Sequence, residues 1–498
     1  IDVGSNSVHM VVADVSADGR IEVVDRVKEM VRLGRGAFTT GKLAPESMEL
    51  AVRAVKTYRR LARARHVKRV RAVATSAVRE ARNGAAFVRR LRRETGVAVR
   101  VISGAEEARL IFRAARHALG FAGGPHLLLD VGGGSVELVL VRDGRPLWLR
   151  SLPLGAARLT ERFLTGDPPR PGQLRQLVRH LERTLGGLLA EAREAGIVDV
   201  IGTSGTVNTL VAMAQAARGV EVGRLHGASA SAEEVARLRR RLVAADAAKR
   251  ADLPGMDAKR VDLMPAAAVL VDFVLARAGE PALMACTWGL REGVLLDLAR
   301  VESRHAPGRA AGRRSRVEAL ATRFAGANAH GRQVARLALE LFDAMASALD
   351  LPAPARELLE YAALLHDIGH AIDHNRHHRH SYYLIRNADL LGFDALELEL
   401  IAQVARGHRK QMPKLAAPEL RALPAPARRV VRGLAALLRV ADGLDRTHFG
   451  VVKTLEVRAR GGRFTVAVDP GGDSAELEVW AAARRTDPLA RLLDRPVG

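Results

Sequence analysis

Apolar residues near the start of the chain fall into short runs separated by small and polar residues, and one arrangement occurs twice. Leu127 to Leu138, LLLDVGGGSVEL, reads as a strand, a small-residue loop and a second strand, and the apolar run Val136 to Val141 passes through an Asp143-Gly144 turn into Pro146 to Leu149. The opening follows the same plan: Ile1-Asp2-Val3, the loop Gly4-Ser5-Asn6-Ser7, the run His9 to Val15, an Asp18-Gly19 turn and Ile21 to Val24. A repeat of this size predicts a duplicated strand, loop, strand, turn, strand unit.

Helical spacing over Pro45 to Arg65, Ala85 to Arg93 and Ser103 to about Ala118 alternates with predicted strands at Val70 to Thr75 and Val97 to Ile102. After the second copy come a helix over Gln173 to Ala195, a strand at Val198 to Ile201, a small-residue loop from Gly202 to Asn208, helices from Ser231 and over Lys259 to Ala278, and a closing helix after Trp288 to Gly293. Such alternation predicts an α/β class with two lobes, residues 1–119 and 120–300. Arg304 to Arg316 has the composition of a linker. Residues 317–449 are predicted all-helical, with helices near Arg332 to Ala346, Pro354 to Leu365, Leu396 to His408 and Arg428 to Asp445. Residues 450–498 predict a small α+β element: strands Leu455 to Arg460, Phe464 to Val468 and Glu476 to Trp480, with a Gly461-Gly462 hairpin turn, then a helix over Pro488 to Leu493.

Composition narrows the partners. A chain of 498 residues exceeds a single core, and its net charge of +23 attracts polyanions, although such charge also fits solvated helix faces in an Arg-rich chain. With only 4% aromatic residues, base-stacking surfaces are disfavoured and nucleic acid is not the expected substrate. The one cysteine, Cys286, excludes an intrachain disulfide and a Cys-based zinc site, and suits a reducing, cytoplasmic compartment. No signal peptide is visible, and Ala266 to Ala278 is too short and too charged, at Asp272 and Arg277, to span a bilayer. The opening inside a strand with no initiator Met predicts residues ahead of Ile1.

The loops carry the chemistry. Backbone N–H groups of a Gly, Ser and Asn loop can converge on a phosphate, and the Asp that begins each loop stands where a carboxylate reaches Mg²⁺. Ser103 and Glu106 have capping-box spacing, which engages Glu106 at the helix terminus and leaves Glu107 free to activate a water. A third small-residue loop, Gly202 to Asn208, opens a helix, and helix N-termini bind anions.

In order, DVGSNS, TSAVRE, SGAEEAR, DVGGGSVEL, LPLGAARLTE, GTSGTVNTL and GLREG resemble the exopolyphosphatase and guanosine pentaphosphate phosphatase family, within the superfamily of actin, sugar kinases and heat-shock chaperone ATPases. The resemblance covers about the first 300 residues. It implies two actin-like, ribonuclease H-like lobes with duplicated phosphate loops. It also implies Glu107 as the base, Asp130 and Glu137 as Mg²⁺ ligands, and Arg79 as a phosphate contact. Ser5, Asn6, Ser7, Gly133, Gly134, Ser135, Gly205 and Thr206 would cradle phosphates. In the helical region the order His330, His366-Asp367, Asp442 resembles the HD phosphohydrolase superfamily and implies a second divalent-metal site. A binuclear version would draw on His380 and His408. The remaining histidines of the region, among them His370, His374, His377 and His378, read mostly as a basic, solvated surface, with Arg409 and Lys410 available to a polyanion.

The expected function is therefore an exopolyphosphatase that releases orthophosphate from inorganic polyphosphate. Guanosine pentaphosphate hydrolysis at the same site is the alternative. A kinase of the superfamily and a non-catalytic polyphosphate or RNA sensor are the rivals from other classes. A homodimer is a further expectation, suggested by the elongated multidomain chain.

Overall fold

Each copy of the repeat folds as three antiparallel strands. The first forms β1 (Asp2–Val3), β2 (Ser7–Val15) and β3 (Ile21–Met30). Between the copies lie β4 (Ala72–Ala74) and β5 (Val99–Val101). The second copy forms β6 (His126–Val131), β7 (Val136–Arg142) and β8 (Arg145–Leu152), and is followed by β9 (Asp199–Thr203), β10 (Ser229–Ala230) and β11 (Ala282–Ala285). The sheet orders are β3-β2-β1-β4-β5 and β10-β11-β9-β6-β7-β8. On its far side β1 pairs in parallel with β4 as β6 does with β9, and a second parallel strand follows in each sheet. The duplication thus covers five strands, two more than the hairpins visible in the sequence.

The computed structural model describes residues 1–15, 21–121, 124–219, 225–299, 309–388, 390, 392–410, 412, 417–472 and 474–498. They divide into two compact units, Ile1–Arg309 and Ala310–Gly498. The expected Asp18-Gly19 turn and the start of the expected linker lie outside the described residues.

In the first unit, Leu127, Leu128, Leu129 and the run Val136 to Val141 are buried, because helices cover both faces of these strands. The helix Gly104–Leu119 begins where Ser103 Oγ accepts the Glu106 N–H at 3.1 Å and ends at Gly120, whose φ of 82° suits a residue without Cβ. Leu110 lies on its buried face, and a Cβ on Gly293 of the helix Leu290–Leu298 would come within 2.1 Å of the Leu110 carbonyl oxygen. The two helices therefore cross at backbone contact.

Four expectations need correction. The helix expected over Lys259 to Ala278 begins at Met264: Pro265 occupies its first turn, and Asp257 takes the Lys259 N–H at 3.0 Å and Arg260 Nε at 3.0 Å, folding the preceding residues into turns. Glu106 does not return to the helix terminus, because its carboxylate forks onto Arg100. Within the expected linker, a helix runs over Arg309–Ala325, and its Arg313 is buried against Glu397 at 2.9 Å and over the Phe393 ring at 4.2 Å. Glu476–Ala483 is a helix and not a strand: Glu478 accepts the Thr447 hydroxyl at 2.6 Å, and Ala482 packs against Gly443.

The second unit has a helical core, with the hairpin β12 (Thr454–Arg460) and β13 (Arg463–Asp469) packed against it and Val497 bridged to Phe464. A helix over His377–Asn387 carries part of the histidine-rich stretch. No described helix is long and apolar enough to cross a membrane.

Gly293→Ala is expected to lower the stability of the chain by about 1–3 kcal/mol through overpacking against Leu110. Gly187→Ala, where a Cβ meets nothing within 4 Å in the helix Pro171–Glu194, is expected to raise it by roughly 0.5–1 kcal/mol. Urea midpoints of the two variants check both signs.

Candidate active site

The two loops are built alike. The Gly4 N–H donates to the Ser7 carbonyl at 3.1 Å, and the Gly132 N–H to the Ser135 carbonyl at 3.0 Å. Neighbouring backbone amides and one guanidinium occupy further loop carbonyls. Ser5 O accepts from Gly34 N at 2.7 Å and Asn6 O from Arg32 N at 2.8 Å; Gly132 O accepts from Ala156 N at 2.9 Å, and Gly134 O from Arg158 Nε at 2.7 Å. No acceptor for the N–H groups of Ser5, Asn6, Gly133 or Gly134 lies among the described residues. These donors remain available to an anion.

The loops also face each other. A Cβ on Gly133 would stand 3.1 Å from Ser5 Cβ, one on Gly134 would stand 2.3 Å from Ser76 Oγ, and one on Gly155 would stand 2.4 Å from the Gly133-Gly134 peptide. Two of the expected phosphate-binding hydroxyls are engaged in the scaffold: Ser5 Oγ pairs with Ser76 Oγ at 2.9 Å, and Ser7 Oγ with His9 Nε2 at 2.6 Å. The motif LPLGAAR acts as a brace behind the second loop, and its Arg158 forks onto Glu80 at 2.7 and 2.8 Å.

Four carboxyl groups converge beside the loops. Asp2 and Asp130 stand at equivalent strand positions, and the Oδ1 of each is shielded from solvent without a hydrogen-bond partner. Burial pushes both up to about 6, against the opposing pull of Arg291. Burial raises Glu107 to about 8 although Arg79 Nη1 donates to it at 3.1 Å. Glu137, which accepts the Ser151 hydroxyl at 2.7 Å, lies well above the ordinary range through burial and its neighbours Glu107 and Asp130. Arg79 is thus committed to Glu107 and to the Ile102 carbonyl at 2.8 Å. The oxygen-only donor set with two orphaned Oδ1 atoms fits a hard divalent cation.

A basic group adjoins this acidic one. Arg291 Nη1 lies 2.9 Å from His9 Nδ1, and Arg260 covers the third loop so closely that a Cβ on Gly205 would meet its guanidinium. Arg260 Nη1 reaches Thr206 Oγ1 at 3.4 Å. Burial, Arg260 and other cations lower Lys28 to about 8. Lys28, Arg260 and Arg291 had no expected role, and Asp2, placed by its loop where a carboxylate reaches a cation, is absent from the ligand pair that the family resemblance implies. Asp2 and Arg291 stand inside motifs of that resemblance, whereas Lys28 carries no local signal.

In the second unit His330, His366, Asp367 and Asp442 are brought together as expected. His330 Nε2 and His366 Nε2 lie 3.5 and 3.7 Å from Asp442 Oδ1. His408 joins them, with Nε2 3.5 Å from Asp367 Oδ1, while His380 belongs to no such group among the described residues. The solvated-surface reading fails for His377 and His378, which are 3% and 7% exposed. Asp442 also pairs with Arg485.

A model of the Ppx/GppA phosphatase family matches residues 11–302, and one of Ppx/GppA phosphatase domain III matches residues 313–467. The chain belongs to the Ppx/GppA phosphatase family. It is 28% identical over 496 residues, 98% of this chain and 96% of the relative, to a guanosine-5'-triphosphate,3'-diphosphate pyrophosphatase of Vibrio vulnificus. It is 35% identical over 315 residues, 60% of this chain and 97% of the relative, to exopolyphosphatase 2 of Mycobacterium tuberculosis. Among solved structures, an exopolyphosphatase from Cytophaga hutchinsonii superposes with a TM-score of 0.57 at 32% identity, over 60% of this chain and 97% of that one. The Aquifex aeolicus family member superposes with a TM-score of 0.52 at 27% identity, over 61% of this chain and 97% of that one. The two-lobed, actin-like reading of the first unit agrees with these structures.

For this Ppx/GppA phosphatase freed of divalent ions, the raised carboxyls fix a pH dependence. Each binds its proton more tightly folded than unfolded, so the stability its protonated form contributes is lost as pH rises through about 6 for Asp2 and Asp130 and about 8 for Glu107. In EDTA the melting temperature of the first unit is expected to fall between about pH 6 and 8.5, and millimolar Mg²⁺ to raise it more at the upper end. Scanning fluorimetry at both pH values checks the sign.

Proposed function

We propose that the first unit hydrolyses the terminal phosphoanhydride of inorganic polyphosphate, with water as nucleophile and Glu107 as general base. The observation that carries this reading is the meeting of four buried carboxyls with unengaged loop N–H groups, bordered by Lys28, Arg260 and Arg291. Asp2, Asp130 and Glu137 hold Mg²⁺, which when bound offsets charge on the terminal phosphate. Glu107 accepts a proton from the attacking water, and Arg79 orients its carboxylate. Ser5, Asn6, Gly133, Gly134 and Ser135 donate backbone N–H groups to the terminal phosphates as the P–O bond to the next phosphate breaks. Gly205, Thr206 and the neighbouring cations receive the following phosphates. The single cysteine fits a cytoplasmic location.

A second reading, guanosine pentaphosphate hydrolysis at the same site, is favoured by one observation: the relative matched over 98% of this chain carries that pyrophosphatase name. In the second unit, the reading is that His330, His366, Asp367 and Asp442 hold one divalent ion.

Phosphate release from long-chain polyphosphate and from guanosine pentaphosphate, measured side by side with Mg²⁺, separates the two. Polyphosphate is expected to show the higher kcat/KM, and the reverse order establishes the second reading. Glu107→Gln is expected to lower kcat by about 10²–10⁴ on either substrate with KM little changed. Undiminished release by this variant would refute the base assignment.

A further inference from the structure

We propose that His9 is a positioning residue of the first phosphate loop: its Nε2–H donates to Ser7 Oγ, which leaves the serine's own hydroxyl proton for a phosphoryl oxygen of the substrate. The proposal rests on the reading that this loop receives phosphates, and adds to it one residue and the direction of one hydrogen bond.

Ser7 and His9 are two residues apart on β2 and project from the same face. Ser7 Oγ and His9 Nε2 stand 2.6 Å apart, a spacing that would also suit a serine nucleophile and its base. The other ring nitrogen decides against that pairing. His9 Nδ1 lies 2.9 Å from Arg291 Nη1, and a guanidinium only donates. Nδ1 therefore presents its lone pair to Arg291, and the proton of the neutral ring sits on Nε2. A second ring proton would set an imidazolium against Arg291, with Lys28 directly opposite His9 on β3. Arg291 in turn has the buried Glu292 beside it, with Oε1 3.8 Å from Nη2. Ser7 Oγ thus accepts from His9, and it has no other hydrogen-bond partner among the described residues.

The two copies of the repeat differ at this point. Strand pairing sets Asp2 opposite His9 and Asp130 opposite Glu137, so His9 and Glu137 occupy equivalent positions, as do Ser7 and Ser135. An ionised Glu137 only accepts, and both Ser135 and Ser151 hydrogen-bond it, the latter at 2.7 Å. The serine of the second loop is therefore committed to a carboxyl of the acidic group. Imidazole at the equivalent place reverses the bond. Phosphoryl oxygens only accept, so the hydroxyl with a proton to give is the one in the first loop.

The test reads the tautomer and the coupling separately. In nitrogen-15 NMR of the full chain with Mg²⁺, the His9 ring, assigned by its loss in His9→Gln, is expected to carry its proton on Nε2. A proton on Nδ1 would overturn the proposal, whether or not any variant folds. Calorimetric titration then uses methylenediphosphonate, which has two phosphoryl groups and no phosphoanhydride to hydrolyse. Ser7→Ala and His9→Ala are each expected to weaken its binding about tenfold, and the double variant no more than either alone. His9→Gln, whose side-chain amide can donate to Ser7, is expected to recover most of the loss seen in His9→Ala. Losses that multiply in the double variant, or no recovery in His9→Gln, would overturn the proposal. Phosphate release from polyphosphate by the same proteins keeps the two readings apart. Coupled binding losses in a chain that releases no phosphate would overturn the hydrolysis reading and leave the proposal standing, and release with independent losses would do the reverse.

Discussion

Four carboxyl groups in the first unit, Asp2, Glu107, Asp130 and Glu137, are packed where water does not reach them freely, with Arg79 paired directly to Glu107 and Arg291 close by. Withdrawing an ionised carboxylate from water costs several kcal/mol even after relaxation, so such a cluster persists only when its surroundings are held firmly or a cation joins it. The rest of the unit can be understood as what holds it. Parallel pairing of β1 with β4 and of β6 with β9 fixes Asp2 and Asp130 at matching strand positions. Main-chain amides and the Arg158 guanidinium engage the loop carbonyls, while the N–H groups of Ser5, Asn6, Gly133 and Gly134 keep no acceptor among the described residues. Glycines at 134 and 155 are needed because Ser76, Phe38 and the Gly133-Gly134 peptide approach more closely than a Cβ would permit, and a Cβ on Gly133 would crowd Ser5.

Duplication also explains the division of charge. The Asp of each copy contributes to the acidic pole, whereas Lys28, Arg260 and Arg291 come from separate elements and form a basic pole beside it. A bound cation and a chain of phosphates would relieve the two opposite strains together, since each pole lacks a full complement of counter-charges. The second unit balances itself differently. Burial works against charge on His330, yet Asp442 and Asp445 hold it up to about 9, and His366 and His408 keep Asp367 down at about 2 despite its burial. Without an ion, its imidazoles and carboxylates serve as each other's counter-charges.

The repeat was legible because hairpins are local: both copies carry their turns, glycines and Asp within about 25 residues. The parallel partners β4 and β9 were legible as strands, but not as the equivalent neighbours of β1 and β6, since that equivalence is set by pairing across 70 or so residues. The basic pole was hidden for the same reason, because Lys28 and Arg260 meet only in the folded chain. His377 was misread as surface because its segment, HHRHS, has no apolar periodicity; the contacts that bury it come from Asp367 and His408. The helix Glu476–Ala483 was taken for a strand on its short alternation, and the pairing of Glu478 with Thr447 shows the tertiary contact that decides otherwise.

The claim that the duplicated Asp residues jointly hold the cation is tested most directly by calorimetric titration of Mg²⁺ into the metal-free chain, Asp2→Asn and Asp130→Asn. Each substitution is predicted to weaken Mg²⁺ binding by at least about tenfold, with secondary structure retained. Equal affinity in all three proteins would contradict the account.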